Sequence, residues 1–149
     1  MAHFEATVNI KRPTEEVFAW LTSAENHPRW DSISLEMHPA EPGPWHAGLE
    51  FRELRHLGGR KTPARSRVKR LEPGSRFQIE SLSGAGWQGD WRFEPTPQGT
   101  RLHFQADLTL GFPARLFEPL IARSIRQDIA ANFARLVRIL EGDGSAALR

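Results

Sequence analysis

From Ile33 to Leu110 the chain is a succession of short segments in which apolar and polar residues alternate, most of them closed by a turn rich in Gly or Pro; from 114 to 141 it contains no glycine. No other feature narrows the fold as much. Alternation puts successive side chains on opposite faces of a strand, whereas a spacing of threes and fours belongs to one face of a helix. A chain in this order lays down a run of antiparallel strands and closes with one long helix, and each must bury its apolar side against the other.

Ile33, Leu35 and Met37 alternate as a strand, and His38–Gly48, with three prolines and two glycines, is a loop. Leu49 to Leu57 and Thr62 to Glu72 form strands joined by a Gly58-Gly59 hairpin turn. Pro73-Gly74 turns into a strand carrying Phe77 and Ile79, and Gly84-Ala85-Gly86 into one with Trp87, Gly89, Trp91 and Phe93 on a single face. After a turn over Pro95 to Gly99, Leu102, Phe104, Ala106, Leu108 and Leu110 give the cleanest alternation of all. Upstream, residues 3–11 read as a further strand through Phe4, Ala6, Val8 and Ile10. Pro13, Glu15 and Glu16 open a helix with an apolar face of Val17, Phe18, Trp20 and Leu21. A second short helix is expected from Ala24 to Arg29. At the other end, apolar residues at 116, 117, 120, 121, 125, 129, 133, 136, 137 and 140 mark a helical stripe. A helix over 115–141 would be about 40 Å long, with Gly142 as its stop.

The expected class is therefore α+β: seven antiparallel strands, two short helices after the first strand, and a long C-terminal helix across the concave face of the sheet. Residues 1–142 read as one domain and 143–149 as a frayed tail. Side chains do not always fill the space under such a curved sheet, and the cavity left there is the natural place for a small molecule.

Composition removes several classes. With 149 residues, 39% apolar and 26% charged, the chain suits a globular domain that needs no disulfide or metal staple. There is no cysteine, hence no disulfide, thiolate zinc site, iron–sulfur cluster or cysteine nucleophile. No apolar run approaches the ~20 residues that span a bilayer, and the first residues hold no leader-like apolar core; the expected location is cytoplasmic. The six histidines form no His i, i+4 pair and no HExxH, so no metal site is expected. No GxSxG elbow and no GxGxxG loop is present, and no cofactor is expected. The net charge is only +2, yet residues 52–76 carry nine Lys or Arg against Glu53 and Glu72. This basic hairpin reads as a solvated outer face, or as a weak contact for an anionic surface; nucleic acid is not an expected partner.

Parity within each strand assigns inward residues, provided no bulge intervenes. The cavity wall is then aromatic and aliphatic: Trp30, Phe51, Phe77, Trp87, Trp91 and Phe104, with Ile121, Ile125, Ile129 and Phe133 from the helix. Its polar members are Glu53, Arg55 and Ser66. The tryptophans either fill a wide core or, at Trp87 and Trp91, stack on a flat ligand. Glu53 is either an ion-pair partner of Arg55 or Arg52, or a cavity acid able to donate a proton; Glu53 and Arg55 are the candidate catalytic groups. His38 and His46 flank a loop that is either solvated or covers the cavity mouth. Arg115, Arg123, Arg126, Arg135 and Arg138 lie largely off the helical stripe and read as solvated.

The stretches VNIKRPTEEVFAWLTSAENHPRW, RVKRLEPGSRF and WRFEPTPQGTRLHF, with a closing helix from ARLFEPL to LVRILEG, resemble the START and birch-pollen-allergen superfamily. Within it the chain resembles specifically the bacterial polyketide cyclase/dehydrase and lipid transport group, and the resemblance covers nearly the whole chain. It implies a helix-grip fold with a ligand cavity, shared by lipid carriers, aromatic polyketide cyclases and quinone chaperones. Fold alone does not choose among these. The reading favoured is a non-catalytic binder or carrier of a hydrophobic, lipid-like or aromatic molecule. The alternatives are a cyclase/dehydratase-type enzyme using the same cavity, and an interaction module docking through the basic hairpin. The chain has no tyrosine, so a cyclase here would have no phenol as general acid.

Overall fold

A computed structural model of the chain describes residues 1–57 and 59–142. Its seven strands are β1 (Ala2–Ile10), β2 (Ser34–Pro39), β3 (Glu50–Leu57), β4 (Arg60–Glu72), β5 (Arg76–Ser81), β6 (Gly86–Thr96) and β7 (Gly99–Thr109). They form one antiparallel sheet in the order β1-β7-β6-β5-β4-β3-β2. Strands β2 to β7 are thus a meander, and β1 joins it by pairing with β7 from Ala2↔Leu108 to Ile10↔Thr100. The helices described are α1 (Thr14–Leu21), α2 (His27–Trp30) and α3 (Glu118–Glu141), with a 3-10 turn over Ala114–Phe117. Gly58 of the expected hairpin turn, and the tail after Gly142, lie outside the described residues.

The long helix buries Ala122, Ile125, Ile129, Phe133, Leu136 and Leu140, which recur at intervals of three and four. They meet the inward faces of the strands, where Leu102, Phe104, Ala106 and Leu108 of β7 are buried while Gln105 is exposed. Each of the larger side chains, Ile, Leu and Phe, contributes about 1.5–3 kcal/mol by leaving water. The C-terminus of α3 is clamped to the chain leaving β1. Arg12 Nε donates to the Leu140 carbonyl at 2.8 Å, and the Lys11 amide donates to Glu141 Oε2 at 2.8 Å. A cationic side chain thereby satisfies one of the carbonyls that a helix end leaves open.

Three expectations are corrected. The second helix runs over His27–Trp30 rather than from Ala24 to Arg29, with turns over 24–26. Pro28 has no N–H to give to the Ala24 carbonyl, so the helix can only start where proline falls in its first turn. The apolar stripe is not covered along its whole length: Leu116, Phe117 and Leu120 are 67%, 56% and 68% exposed. Arg135 is half-buried rather than solvated, donating to the Trp30 carbonyl at 2.8 Å and to Asn132 Oδ1 at 3.0 Å.

Candidate functional site

Strand parity brings Glu53 and Arg55 of β3 to the concave face, where both side chains are almost wholly buried, at 5% and 6% exposure. They pair with each other, Arg55 Nη2 to Glu53 Oε2, at 3.2 Å. Glu53 also accepts from Ser34 Oγ at 3.0 Å and from Ser66 Oγ. Arg55 Nη1 donates to Ser81 Oγ at 2.7 Å, and the same oxygen accepts the Trp87 amide at 3.2 Å. A buried ion pair persists only when further hydrogen bonds replace the water that both groups lost. Three serines, from β2, β4 and β5, do that here.

Ser34 has this role because β2 is bulged. The pairing of β2 with β3 jumps from Ser34↔Arg55 to Glu36↔Leu54, leaving Leu35 as the extra residue. One extra residue inverts parity. Ser34 and Met37 therefore point inward together, although strict alternation would have put them on opposite faces.

Facing the pair across the interior is a second polar cluster. His27 Nε2 lies 3.1 Å from Asp31 Oδ2, and Asn132 Nδ2 donates to Asp31 Oδ1 at 3.0 Å. Asp31 Oδ1 also accepts the Ile33 amide at 2.9 Å, and Asn132 Oδ1 accepts the Ser32 amide at 3.2 Å. These bonds tie the end of α2 to the middle of α3. Both clusters line an inner cavity of about 40 Å³. Its apolar walls include Trp30, Trp87, Trp91, Phe104, Ile129 and Phe133. Three of the lining residues carry buried polar atoms with no protein partner: Nδ1 of His27 and Nε1 of Trp30 and Trp91. Such groups are rare in folded proteins, and each costs about 1–3 kcal/mol if left unpaired.

A second cavity of about 350 Å³ lies toward the N-terminal end of α3. It is walled mainly by small and aliphatic side chains, Ala64, Ala85, Leu108, Leu110, Ala114 and Ile121, with Arg60 and Thr62 at its edge. Arg55 belongs to the walls of both cavities. An inner chamber large enough for only a few waters and an outer chamber of small-ligand size thus share one guanidinium as a wall.

Of the residues singled out by sequence, Trp30, Glu53, Arg55, Trp87, Trp91, Phe104, Ile129 and Phe133 line the inner chamber and Ile121 the outer. Phe51, Ser66, Phe77 and Ile125 are fully buried but lie behind these walls. Phe77 stacks on Trp91, with centroids 4.7 Å apart and planes 15° apart, so one face of that indole is already covered. His38 pairs with Glu36 at 3.0 Å and His46 with Glu41, both in exposed positions outside either chamber wall. His46 titrates above the ordinary histidine value because the Ala47 carbonyl and the Glu41 carboxylate hold its ring protons.

Sequence reasoning missed Ser34, Ser81, His27, Asp31 and Asn132. Asn132 had a visible signal: it stands three residues after Ile129 and four before Leu136, a polar side chain inside the apolar stripe. Among the described residues, no group of three or more acids and histidines is placed to hold a metal ion.

The sequence profile of the family described as "Polyketide cyclase / dehydrase and lipid transport" matches residues 1–141. The chain belongs to that family. No curated protein matches the sequence. Among solved structures it is similar to TTHA0849 from Thermus thermophilus, with a TM-score of 0.78 and 18% identity over 92% of this chain and 95% of that one. It is similar to SA2116 from Staphylococcus aureus, a protein of unknown function, with a TM-score of 0.72 and 12% identity over 97% of this chain and 96% of that one. The di-domain ARO/CYC StfQ from the steffimycin biosynthetic pathway gives a TM-score of 0.72 and 18% identity, covering 97% of this chain and 51% of StfQ. This family member is thus similar in fold to about half of StfQ and to nearly the full length of the other two.

Proposed function

We propose that the protein binds a flat, largely apolar small molecule that carries a carbonyl or hydroxyl oxygen, in the space between the sheet and α3. The observation that carries this reading is a buried Glu53–Arg55 pair, held by three serines, whose guanidinium borders two chambers with otherwise mostly apolar walls and keeps N–H groups beyond those given to Ser81 and Glu53. A pocket for pure hydrocarbon gains nothing from a buried ion pair, which costs desolvation energy. The inner chamber, at about 40 Å³, does not hold a ring system, so the ligand body lies in the outer chamber and its oxygen reaches Arg55. Because Glu53 already balances the guanidinium, a neutral oxygen suits this position better than a carboxylate, which would face a like charge.

A second reading is a cyclase/dehydratase-type enzyme acting in the same space, and the His27–Asp31 pair favours it. Asp31 holds one ring nitrogen of His27 while the other stays free beside the inner chamber. That is the arrangement of a general base whose orientation is set by a carboxylate. In this reading a substrate group that reaches past Arg55 into the inner chamber gives a proton to His27 Nδ1, and Arg55 stabilises the oxygen that gains charge.

Native mass spectrometry of the purified protein, with extraction of whatever is bound, tests the first reading. Arg55→Leu is then compared with wild type on aromatic ketones and phenols and on their deoxy analogues. Loss of a hydrogen bond to a charged group should weaken the oxygenated ligands about tenfold or more and leave the deoxy analogues unchanged. A protein that purifies empty, and whose melting temperature ignores the whole panel, overturns the binding reading. Turnover of a bound compound that is lost in His27→Gln while binding persists decides for the enzyme.

A further inference from the structure

The exposed large apolar side chains are concentrated in one segment. Phe112, Leu116, Phe117 and Leu120 are 76%, 67%, 56% and 68% exposed, and they fall within nine residues that lead into α3. Scattered single exposures are ordinary, but a cluster of four large side chains marks a surface that meets something apolar. The segment carries Arg115, and Arg123 follows it by three residues. Ala114 and Ile121 connect it to the outer chamber, whose opposite wall holds Arg60, next to Lys61.

The charges around this patch differ from those farther along the basic hairpin. Arg65, Arg67, Arg70 and Arg76 are paired with Glu50, Glu80, Glu72 and Asp90. Arg60, Lys61, Arg115 and Arg123 have no acidic partner among the described residues. The one acid in the segment, Glu118, lies 2.9 Å from the amino group of Met1. Cations without an acidic partner among the described residues therefore flank the apolar cluster.

We infer that this end of the molecule docks on an anionic lipid bilayer, with Phe112, Leu116, Phe117 and Leu120 entering the acyl boundary and Arg60, Lys61, Arg115 and Arg123 at the headgroups. Apolar side chains ringed by arginine and lysine match the two layers of such an interface, a tail region beneath a negative surface. No helix among the described residues is long and apolar enough to cross a membrane, so the contact is peripheral. It places the mouth of the outer chamber against the bilayer. The inference rests on the outer surface and holds whatever the chambers contain.

Vesicle co-sedimentation of the full chain tests it, with phosphatidylglycerol-rich and pure phosphatidylcholine vesicles as probes. Wild type is expected to pellet with the anionic vesicles, more weakly as salt rises, because cationic contacts are screened. The double substitution Leu116→Glu and Leu120→Glu should lower binding at least about tenfold, since it removes two inserting side chains. Phe112→Ser, in the loop outside the helix, should lower it in the same direction. Lys61→Gln with Arg115→Gln should cost about fivefold per residue on anionic vesicles only. Circular dichroism melts of all variants are expected to match wild type, because the altered side chains are mostly exposed. Wild type that stays in the supernatant, or apolar variants that pellet as wild type does, would overturn the inference. So would self-association of wild type that the apolar variants abolish, in the absence of vesicle binding: the patch would then be an interface between copies.

Discussion

Gly89 and Trp91 alternate on β6, and the indole of one lies across the backbone of the other. A Cβ at Gly89 would stand 2.6 Å from two ring carbons of Trp91. The ring has little room to retreat, being stacked on Phe77 at 4.7 Å and packed against Phe104 at 4.9 Å. Gly89→Ala should therefore overpack the wall of the inner chamber and destabilise the protein by about 1–3 kcal/mol. Urea unfolding followed by tryptophan fluorescence measures this; an unchanged midpoint would mean that the indole moves freely. At this scale much was legible. Parity alone brought Glu53, Arg55, Ser66, Trp91 and Phe104 to the inner face. Ser34 was not legible, because a bulge is a property of two paired strands and leaves no mark in the alternation of one.

The edge strand β1 is fastened to β7 by side chains as well as by its ladder. His3 stands directly opposite Asp107, with Nδ1 2.7 Å from Oδ1, and its other ring nitrogen is 3.3 Å from Glu5. The Asp107 hydrogen bond, followed by that to Glu5, raises the His3 pKa above its ordinary value. A pKa raised in the folded state adds stability that is fully present below the unfolded value of about 6.5. That contribution disappears as pH rises through the higher folded value. Proton NMR titration should place the His3 midpoint above the ordinary one, and Asp107→Asn should bring it down. An unshifted midpoint in wild type would show that the cross-strand pair does not form in solution.

Most strands and the body of α3 were readable from local periodicity. The start of α2 was not, because it depends on which carbonyl Pro28 would have left without a donor. Nor was the end of the covered stripe, since periodicity reports that Leu116 and Leu120 share a helical face but not whether the sheet extends far enough to meet it.

The molecule as a whole divides along α3. From Ile125 to Leu140 the helix buries one side against the sheet, and its end is held by Arg12 and Lys11. Around residues 114–121 the side chains are exposed or line the outer chamber. Local opening follows burial, so amide exchange should be fastest over 114–121 and slowest over 129–140. Hydrogen-exchange mass spectrometry on the intact chain checks this. Uniform protection along the helix would show that its first turns are as firmly held as its core, and that the outer chamber is a rigid opening.

Local patterning and the match of the whole chain were enough for the order of the elements, the inward face of most strands, Glu53 and Arg55 among them, and the family. All of these follow from patterns within a few residues or from matching the chain as a whole. Which polar residues meet was settled by the packing of distant segments. The Ser34 hydroxyl reaches Glu53 through a bulge, and Asp31 reaches Asn132 across 101 positions of sequence. The same packing also decided that Arg55 stands in the walls of two distinct cavities, and that the first apolar turns of the long helix face outward. Side-chain periodicity specifies the direction of a face. The size of a void and the cover over a stripe depend on how far apart the elements come to rest, which is set by the packing of distant residues.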